Sequence, residues 1–70
     1  MFEVIVWDYD AAPDAKSLFY IAKRFRVEKG RTAYQLAKNN AERRTGAAVF
    51  DENKNRLAGF GLVCDYPKNN

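Results

Sequence analysis

The sequence has no histidine, one serine and one cysteine, so few side chains could carry covalent chemistry. Without histidine, a Ser-His-Asp triad, a Cys-His pair and a histidine-ligated metal site are all excluded. Ser17 and Cys64 have no base at a recognisable spacing that would activate them as nucleophiles. Cys64 stands in an apolar stretch, and we interpret it as a small buried side chain. We therefore expect the protein not to be an enzyme.

The sequence also lacks the usual motifs for metal ions and phosphate-bearing cofactors. Asp8, Asp10 and Asp14 could offer carboxylate oxygens to a hard cation, but they lack the spacing and the terminal glutamate of an EF-hand. They are interpreted as a solvated acidic loop. Gly59 and Gly61 fall inside a predicted strand and do not open a helix, unlike a phosphate-binding loop. No metal ion and no cofactor is predicted.

Long apolar runs are absent as well. None approaches the roughly 20 residues that a membrane-spanning helix needs. The N-terminal segment turns acidic within a few residues, unlike a signal peptide. A lone cysteine cannot form an intramolecular disulfide, which agrees with a reducing compartment. We therefore expect a cytoplasmic protein with no membrane partner.

What the sequence does contain is enough apolar material for one small core. Of its 70 residues 47% are hydrophobic, including five phenylalanines, four tyrosines and one tryptophan. This composition is typical of a globular domain and excludes a chain that is disordered throughout its length. Residues 1–66 are expected to form a single domain. The polar tail that begins at Tyr66 is expected to fray, with residues 67–70 outside the domain.

The clearest periodicity lies in residues 31–46, which predict an amphipathic helix. Its apolar stripe, spaced i, i+3, i+4 and i+8, consists of Ala33, Leu36, Ala37 and Ala41. Thr32 is expected to be the N-cap, and Gly46 the left-handed residue that follows the helix. Arg43 and Arg44 would lie in the last turn, where they complement the helix dipole. The small stripe predicts close packing against a sheet.

The N-terminal residues 2–7 are β-branched or aromatic in most positions and predict a strand. Because Glu3 should face water, alternation directs Phe2, Val4 and Val6 to the core. Ile5 and Trp7 are then left on the opposite face with Glu3. The following residues, 8–16, contain several aspartates and a proline and predict a loop. Either this loop or a second subunit could cover Ile5 and Trp7.

Residues 17–29 allow two interpretations. As a strand they place Phe19, Ile21, Phe25 and Val27 on one face, with Lys23 as an exception, and Tyr20, Arg24, Arg26 and Glu28 on the other. As a helix they align a different apolar stripe, and a two-helix protein that binds DNA like a helix-turn-helix would be an option. We favour the strand, because the helix would leave two aromatic residues outside its stripe.

The C-terminal part predicts a β-hairpin. Residues 47–50 form its first strand, residues 51–55 a turn in which an asparagine takes positive φ, and residues 56–65 the return strand. In the return strand Ala58, Phe60, Leu62 and Cys64 are assigned to the core. The whole order is β-β-α-β-β, which predicts an α+β fold: a four-stranded antiparallel sheet with one helix packed on one face.

Electrostatic asymmetry is the first functional signal. Eight basic and two acidic residues between positions 23 and 44 give a local charge of +6, whereas the rest of the chain sums to −3. Such a basic surface is typical of proteins with anionic partners. The alternative is that these lysines and arginines are ordinary solvated surface.

The second signal is the sheet face that the helix leaves uncovered. Alternation places on it Ile5, Trp7, Tyr20, Arg24, Arg26, Gly59 and Gly61. Bases of single-stranded nucleic acids stack on aromatic and arginine side chains of such faces, while nearby cations neutralise phosphates. The predicted residues for binding nucleic acid or a partner are Trp7, Tyr20, Lys23, Arg24, Arg26, Lys29, Arg31, Lys38, Arg43 and Arg44.

Two hypotheses of different classes follow. The first is a small non-enzymatic binding or inhibitor protein that contacts nucleic acid or a nucleoprotein complex through the basic surface. The second is a protein-interaction or structural module that forms a homodimer through the open sheet face, since exposed apolar patches often mark interfaces.

Residues 25–55, FRVEKGRTAYQLAKNNAERRTGAAVFDENKN, carry a general resemblance. Their pattern of strand, alanine-bearing helix and hairpin is similar to one common in small bacterial and phage proteins. The size, basicity and compactness of the chain also resemble some phage-encoded anti-CRISPR inhibitors. That resemblance implies action without catalysis, by occupying the nucleic-acid site of a complex in the bacterial host cytoplasm. It assigns a role to no single residue.

Overall fold

The protein is a single-helix α+β structure. The computed structural model describes residues 1–8, 20–42, 45–61, 63 and 66. Its elements, in chain order, are β1 (Phe2–Asp8), β2 (Tyr20–Val27), α1 (Gly30–Asn40), β3 (Thr45–Phe50) and β4 (Arg56–Phe60). The predicted order of two strands, a helix and two strands is confirmed.

All neighbouring strands of the sheet are antiparallel, in the order β2-β1-β3-β4. The first strand therefore lies inside the sheet, while β2 and β4 form its edges. Because β2 and β3 are both antiparallel to β1, they run parallel to each other. Helix α1 connects them across one face, as parallel strands require a crossover connection.

The helix starts earlier and ends earlier than its sequence pattern predicts. Lys29 occupies the N-cap position with extended backbone angles, and no side chain caps the helix there. The prediction that Thr32 is the N-cap was wrong, since Thr32 lies within the helix. The predicted continuation to Gly46 was also wrong, because Gly46 belongs to β3. Arg43 and Arg44 lie outside the described residues.

A threonine explains why the helix stops at Asn40. The hydroxyl of Thr45 donates to the carbonyl oxygen of Asn40 over 2.7 Å and accepts from the backbone N–H of Glu42 over 2.8 Å. These bonds satisfy backbone groups that a helix end otherwise leaves without partners. They also lead the chain directly into β3. The helix therefore does not continue past Asn40, although the sequence period would allow it.

The face of the sheet beneath the helix holds the main core. Its fully buried members come from β1, α1 and β3 and are Val4, Val6, Ala33, Ala37, Ala47 and Val49. Partly buried Phe2, Phe25, Val27, Leu36, Ala41, Ala58 and Phe60 surround them. The predicted alanine stripe and the inward positions of β1 are thus confirmed. Small helical side chains let the helix backbone approach the sheet closely.

The opposite face is not open, which corrects the sequence interpretation. Ile5, Trp7, Ala48 and Phe50 form a second buried cluster on it. Ile21, Val63 and Tyr66 pack against this cluster. The sequence pattern could not reveal this layer, because Val63 and Tyr66 follow the last strand and cover the face only after the chain has turned back.

Strand β2 confirms the extended interpretation of residues 20–27, which removes the helix-turn-helix option. Its register with β1 shifts once: Val6 pairs with Lys23, but Trp7 pairs with Ile21. This irregularity moves Ile21 to the Trp7 side of the sheet. The prediction that Ile21 shares a face with Phe25 was wrong, since a bulge breaks strict alternation. Residues 17–19 lie outside the described part of the chain.

The hairpin is confirmed, with three corrections. Strand β3 starts two residues earlier than predicted, at Thr45, and β4 ends at Phe60 rather than continuing to residue 65. Positive φ angles occur at Lys54, with φ 67°, and Gly61, with φ 74°, and not at an asparagine. The turn at Gly61 redirects the chain, and Val63 then packs close to Gly59. Leu62 and Cys64 lie outside the described residues.

Candidate nucleic-acid interface

Six of the predicted basic residues lie in described parts of β2, the following turn and α1, and all six are exposed. They are Lys23, Arg24, Arg26, Lys29, Arg31 and Lys38. Within the residues that the structure describes, only Arg24 among them forms an ion pair. The other five cations are therefore electrostatically available to an anionic partner. We call these six residues the basic surface.

Arg24 has a structural role of its own. Its Nε donates to Glu3 Oε2 over 2.9 Å, and its NH2 group donates to the Tyr66 hydroxyl over 3.2 Å. The Tyr66 hydroxyl in turn donates to the other oxygen of the Glu3 carboxylate. This network fixes Tyr66 to strands β1 and β2. Arg24 is thus the least available of the six cations.

The start of the helix concentrates positive charge where helices normally avoid it. Lys29 is the N-cap and Arg31 lies in the first turn, which contains no acidic residue. The helix dipole is positive at this end, so basic residues here destabilise the helix. A serine or aspartate at the N-cap would stabilise it. Local rules are broken in this way most often at functional sites.

Lys23 has a more mixed environment than the other cations. Together with Asp8 and Glu42 it lines a shallow pocket of about 170 Å³ at the end of β1. These carboxylates reduce the positive potential around its ammonium group. Lys23 is therefore expected to contribute less to anion binding than Arg26, Lys29 or Arg31.

Trp7 does not lie where the sequence interpretation requires it. Its side chain is only 2% exposed, and its ring meets that of Phe50 edge to face, with centroids 6.3 Å apart. A buried ring cannot stack on a nucleobase, so its assignment to an exposed binding face was wrong. Tyr20 pairs with Asp8 at the end of β2, but its side chain lies outside the described part of the structure.

The burial of Trp7, Ile5 and Phe50 also affects the homodimer hypothesis. These side chains are already packed within the chain and are not offered to a second copy. Large apolar side chains that are exposed, among described residues, are Met1, Tyr34 and Leu57. None of them belongs to the buried cluster of Ile5, Trp7, Ala48 and Phe50 on that sheet face.

Tyr66 is the residue that sequence reasoning missed. It was expected to begin a frayed tail, but it packs edge to face on Phe50, with ring centroids 5.1 Å apart. Arg24 and Lys54 also place their cationic groups over its ring, at 5.8 and 5.3 Å from the centroid. An aromatic side chain within an otherwise polar segment was the sequence feature that could have indicated its packing. Residues 67–70 lie outside the described residues.

The network predicts a specific alkaline sensitivity. The hydrogen bond to Glu3, followed by burial, raises the pKa of Tyr66 above its ordinary value, although Arg24 opposes the shift. The protonated hydroxyl thus stabilises the fold below the unfolded-state pKa of about 10, and this contribution is lost as pH rises through the folded-state pKa. Tyr66→Phe should be less stable than the wild type at pH 8, and the difference should shrink above that transition.

Denaturant unfolding of the two proteins across this alkaline range checks the prediction. Tyrosinate absorbance provides a direct titration of the wild type, and Tyr34→Phe serves as a matched control, because Tyr34 is exposed and contacts Phe60 instead. A stability difference that stays constant with pH would contradict the assigned role of Tyr66.

The fold and the basic surface together define a small α+β protein with a helix on one sheet face and uncompensated cations on an edge strand and helix start. No protein-family model matches the chain, and neither a curated protein nor a solved structure shows significant similarity to it. Among the described residues, no helix is long and apolar enough to cross a membrane, and no group of three or more acidic or cysteine side chains is placed to hold a metal ion.

Proposed function

We infer that the protein is a non-enzymatic binding protein that contacts nucleic acid, or a nucleoprotein complex, through the basic surface. The observation that carries this proposal is the lack of ion-pair partners for five of its six cations within the described structure. Phosphate contacts of this kind supply most of the affinity of non-specific nucleic-acid binding. The proposal assigns the protein to the cytoplasm, where such partners occur and where a lone cysteine remains reduced.

The competing explanation is protection of a sheet edge. Lysine and arginine on edge strands block pairing with other chains, and Lys23, Arg24 and Arg26 lie on edge strand β2. That explanation does not extend to Lys29 and Arg31, which lie in and before the helix. Their unfavourable position at the positive end of the dipole favours a selected interaction with anions over a purely protective role.

A nucleoprotein partner is the finer form of the proposal. The resemblance of residues 25–55 to phage and bacterial proteins, and of the whole chain's size and basicity to anti-CRISPR inhibitors, makes an RNA-guided bacterial effector the first complex to test. Preferential binding to an effector carrying its guide RNA, compared with the free RNA, would favour an inhibitor over a simple nucleic-acid binder.

The direct test is a salt-titrated binding assay with short single-stranded DNA, single-stranded RNA and duplex DNA. The variant is Lys29→Ser combined with Arg31→Gln. The serine provides the missing N-cap and is expected to stabilise the helix by about 1 kcal/mol. Weaker binding by this variant would therefore not result from unfolding. For every phosphate that the variant no longer neutralises, the slope of log affinity against log salt should fall by about 0.7 for single strands.

Arg56→Gln is the control for the loss of a single positive charge, because Arg56 is exposed on β4 at the opposite edge of the sheet. Its effect is compared with that of the double variant per charge removed. The control should leave both affinity and salt slope nearly unchanged. Two results would overturn the proposal: no binding of any nucleic acid or guide-loaded effector at low salt, or equal losses of affinity per charge removed in the control and the double variant.

A further inference from the structure

A pocket of about 340 Å³ lies at the end of the sheet where β1 begins and β3 meets the hairpin turn. The charged and aromatic side chains around it are Phe2, Glu3, Arg26, Asp51, Glu52, Lys54 and Tyr66, and the N-terminal Met1 completes it. Its volume falls in the range of small-molecule sites. Counting the N-terminal amine, the pocket carries three cationic and three anionic groups, so its preference depends on which of them are already paired.

All three carboxylates have partners within the protein. Glu3 accepts hydrogen bonds from Arg24 and Tyr66. Glu52 pairs with the N-terminal ammonium at 2.6 Å. Asp51 Oδ1 accepts the backbone N–H groups of Asn53 and Asn55, at 2.8 and 2.9 Å, and thereby shapes its own turn. The charges of Glu3 and Glu52 are thus compensated by cations, whereas the Asp51 carboxylate is engaged in hydrogen bonds to its own turn.

Two of the cations are not compensated. Arg26 lies directly opposite Glu3 in the sheet register, but Glu3 pairs with Arg24 instead. Lys54 contacts the ring of Tyr66 and forms no ion pair within the described residues. Lys54 also has a φ of 67°, a conformation that its neighbours Asn53 and Asn55 would tolerate better. A lysine at this strained position places a cation at the pocket wall.

We propose that this pocket binds a phosphate group between Arg26 and Lys54. The inference rests on the proposed function where the phosphate belongs to a nucleic-acid backbone, and it is independent of that function where the phosphate belongs to a free nucleotide. Guanidinium forms paired hydrogen bonds to phosphate oxygens, and ammonium adds a compact second charge. Arg26 belongs to the basic surface, so a strand that follows this surface would reach the pocket.

The aromatic ring of Tyr66 favours a phosphate over a stacked base as the bound group. Arg24 and Lys54 lie over the ring and Phe50 contacts it edge to face, so the ring has little free surface for stacking. Its hydroxyl is engaged with Glu3 and Arg24. Tyr66 therefore acts as a rigid wall that positions Lys54, and recognition depends on the two cations.

The test is a nuclear magnetic resonance titration of the full chain with adenosine 5′-monophosphate, inorganic phosphate and adenosine. Both phosphate probes should shift the amide signals of residues 51–54 and the Arg26 side-chain signal, whereas adenosine should not. Arg26→Gln and Lys54→Asn should each weaken binding of the monophosphate by about tenfold or more. Lys54→Asn suits the positive φ, so weaker binding by this variant would not result from unfolding.

Arg56→Gln is the control, because Arg56 is exposed on β4, lies outside the basic surface and does not line the pocket. It should leave the monophosphate titration unchanged. Equal shifts with adenosine and its monophosphate would overturn the inference. So would phosphate-induced shifts at Lys29 and Arg31 that persist in Arg26→Gln.

An oligonucleotide competition separates the two sources of phosphate. Displacement of the monophosphate would identify a backbone phosphate as the ligand, and absence of displacement would identify a free phosphate compound. Monophosphate binding without binding of any oligonucleotide or guide-loaded effector would contradict the proposed function and support the pocket. A different pair of results would contradict only the proposed phosphate site in the pocket. In that case oligonucleotides bind, Lys29→Ser/Arg31→Gln weakens their binding, and the monophosphate does not bind.

Discussion

Trp7→Ala is expected to lower the free energy of unfolding by about 3 to 5 kcal/mol. Trp7 is 2% exposed and packs against Phe50 in the cluster that covers the second face of the sheet. Replacing a buried tryptophan by alanine costs about 3 to 5 kcal/mol. A domain of 70 residues has a total stability of only about 4 to 10 kcal/mol, so this single change removes a large part of it. Far-UV circular dichroism during thermal unfolding measures the effect.

Trp7→Phe is the matched control, because it retains an aromatic ring at the same position and should cost much less than the alanine variant. Tyr34→Ala controls for loss of an exposed aromatic side chain. If Trp7→Ala folded with near wild-type stability but did not bind nucleic acid, Trp7 would be a contact residue after all, and its burial in the folded protein would be contradicted.

Ala37→Leu is expected to destabilise the protein by about 2 kcal/mol, because overfilling a packed core forces side chains and backbone to shift. Ala37 is fully buried between the helix and the side chains of β1 and β3. For a domain of this size the loss corresponds to a fall in Tm of roughly 8 to 16 °C. Leucine is a good helix former, so the effect reports packing and not helix propensity.

Gln35→Leu places the same side chain on the exposed side of the helix and should change Tm by only a few degrees. Calorimetry of both variants provides the comparison. Equal Tm values for Ala37→Leu and the wild type would show that the helix can move away from the sheet, and the alanine stripe would then not set its distance.

The basic part of the site could be predicted from the sequence, but its aromatic part could not. A long cationic side chain carries its charge into water in almost any fold, so the exposure of Lys29, Arg31 and Lys38 follows from residue type. Exposure of an aromatic ring depends on what packs over it. Val63 and Tyr66, which pack against the cluster that contains Trp7, come from the other end of the chain, and no local pattern in β1 indicates their position.

The pocket was also beyond sequence reasoning. Glu3, Arg26 and Lys54 come from three separate elements, and only the sheet register and the hairpin turn bring them together. Whether each charge is available depends on pairing: Glu3 takes Arg24 and leaves Arg26 without a carboxylate partner among the described residues. Which arginine pairs with Glu3 depends on interatomic distances that differ by a few ångströms. Residue identity and sequence spacing do not specify these distances.

By itself, the sequence determined the apolar face of the helix and the type of every element except β2, for which it favoured a strand and left a helix open. These features depend on local propensity and on periods of 2 and 3.6 residues, which are properties of the chain before it folds. The helix end was not evident from the apolar period, because it depends on hydrogen bonds between near neighbours: the Thr45 hydroxyl donates to the Asn40 carbonyl oxygen and accepts from the Glu42 N–H. Tertiary structure alone closed the second face of the sheet. It also decided which face Ile21 joins, through the shift in register beside Trp7. The second face is closed for the same physical reason: distant segments gain stability by burying Ile5, Trp7 and Phe50, and that gain exists only once the sheet has formed.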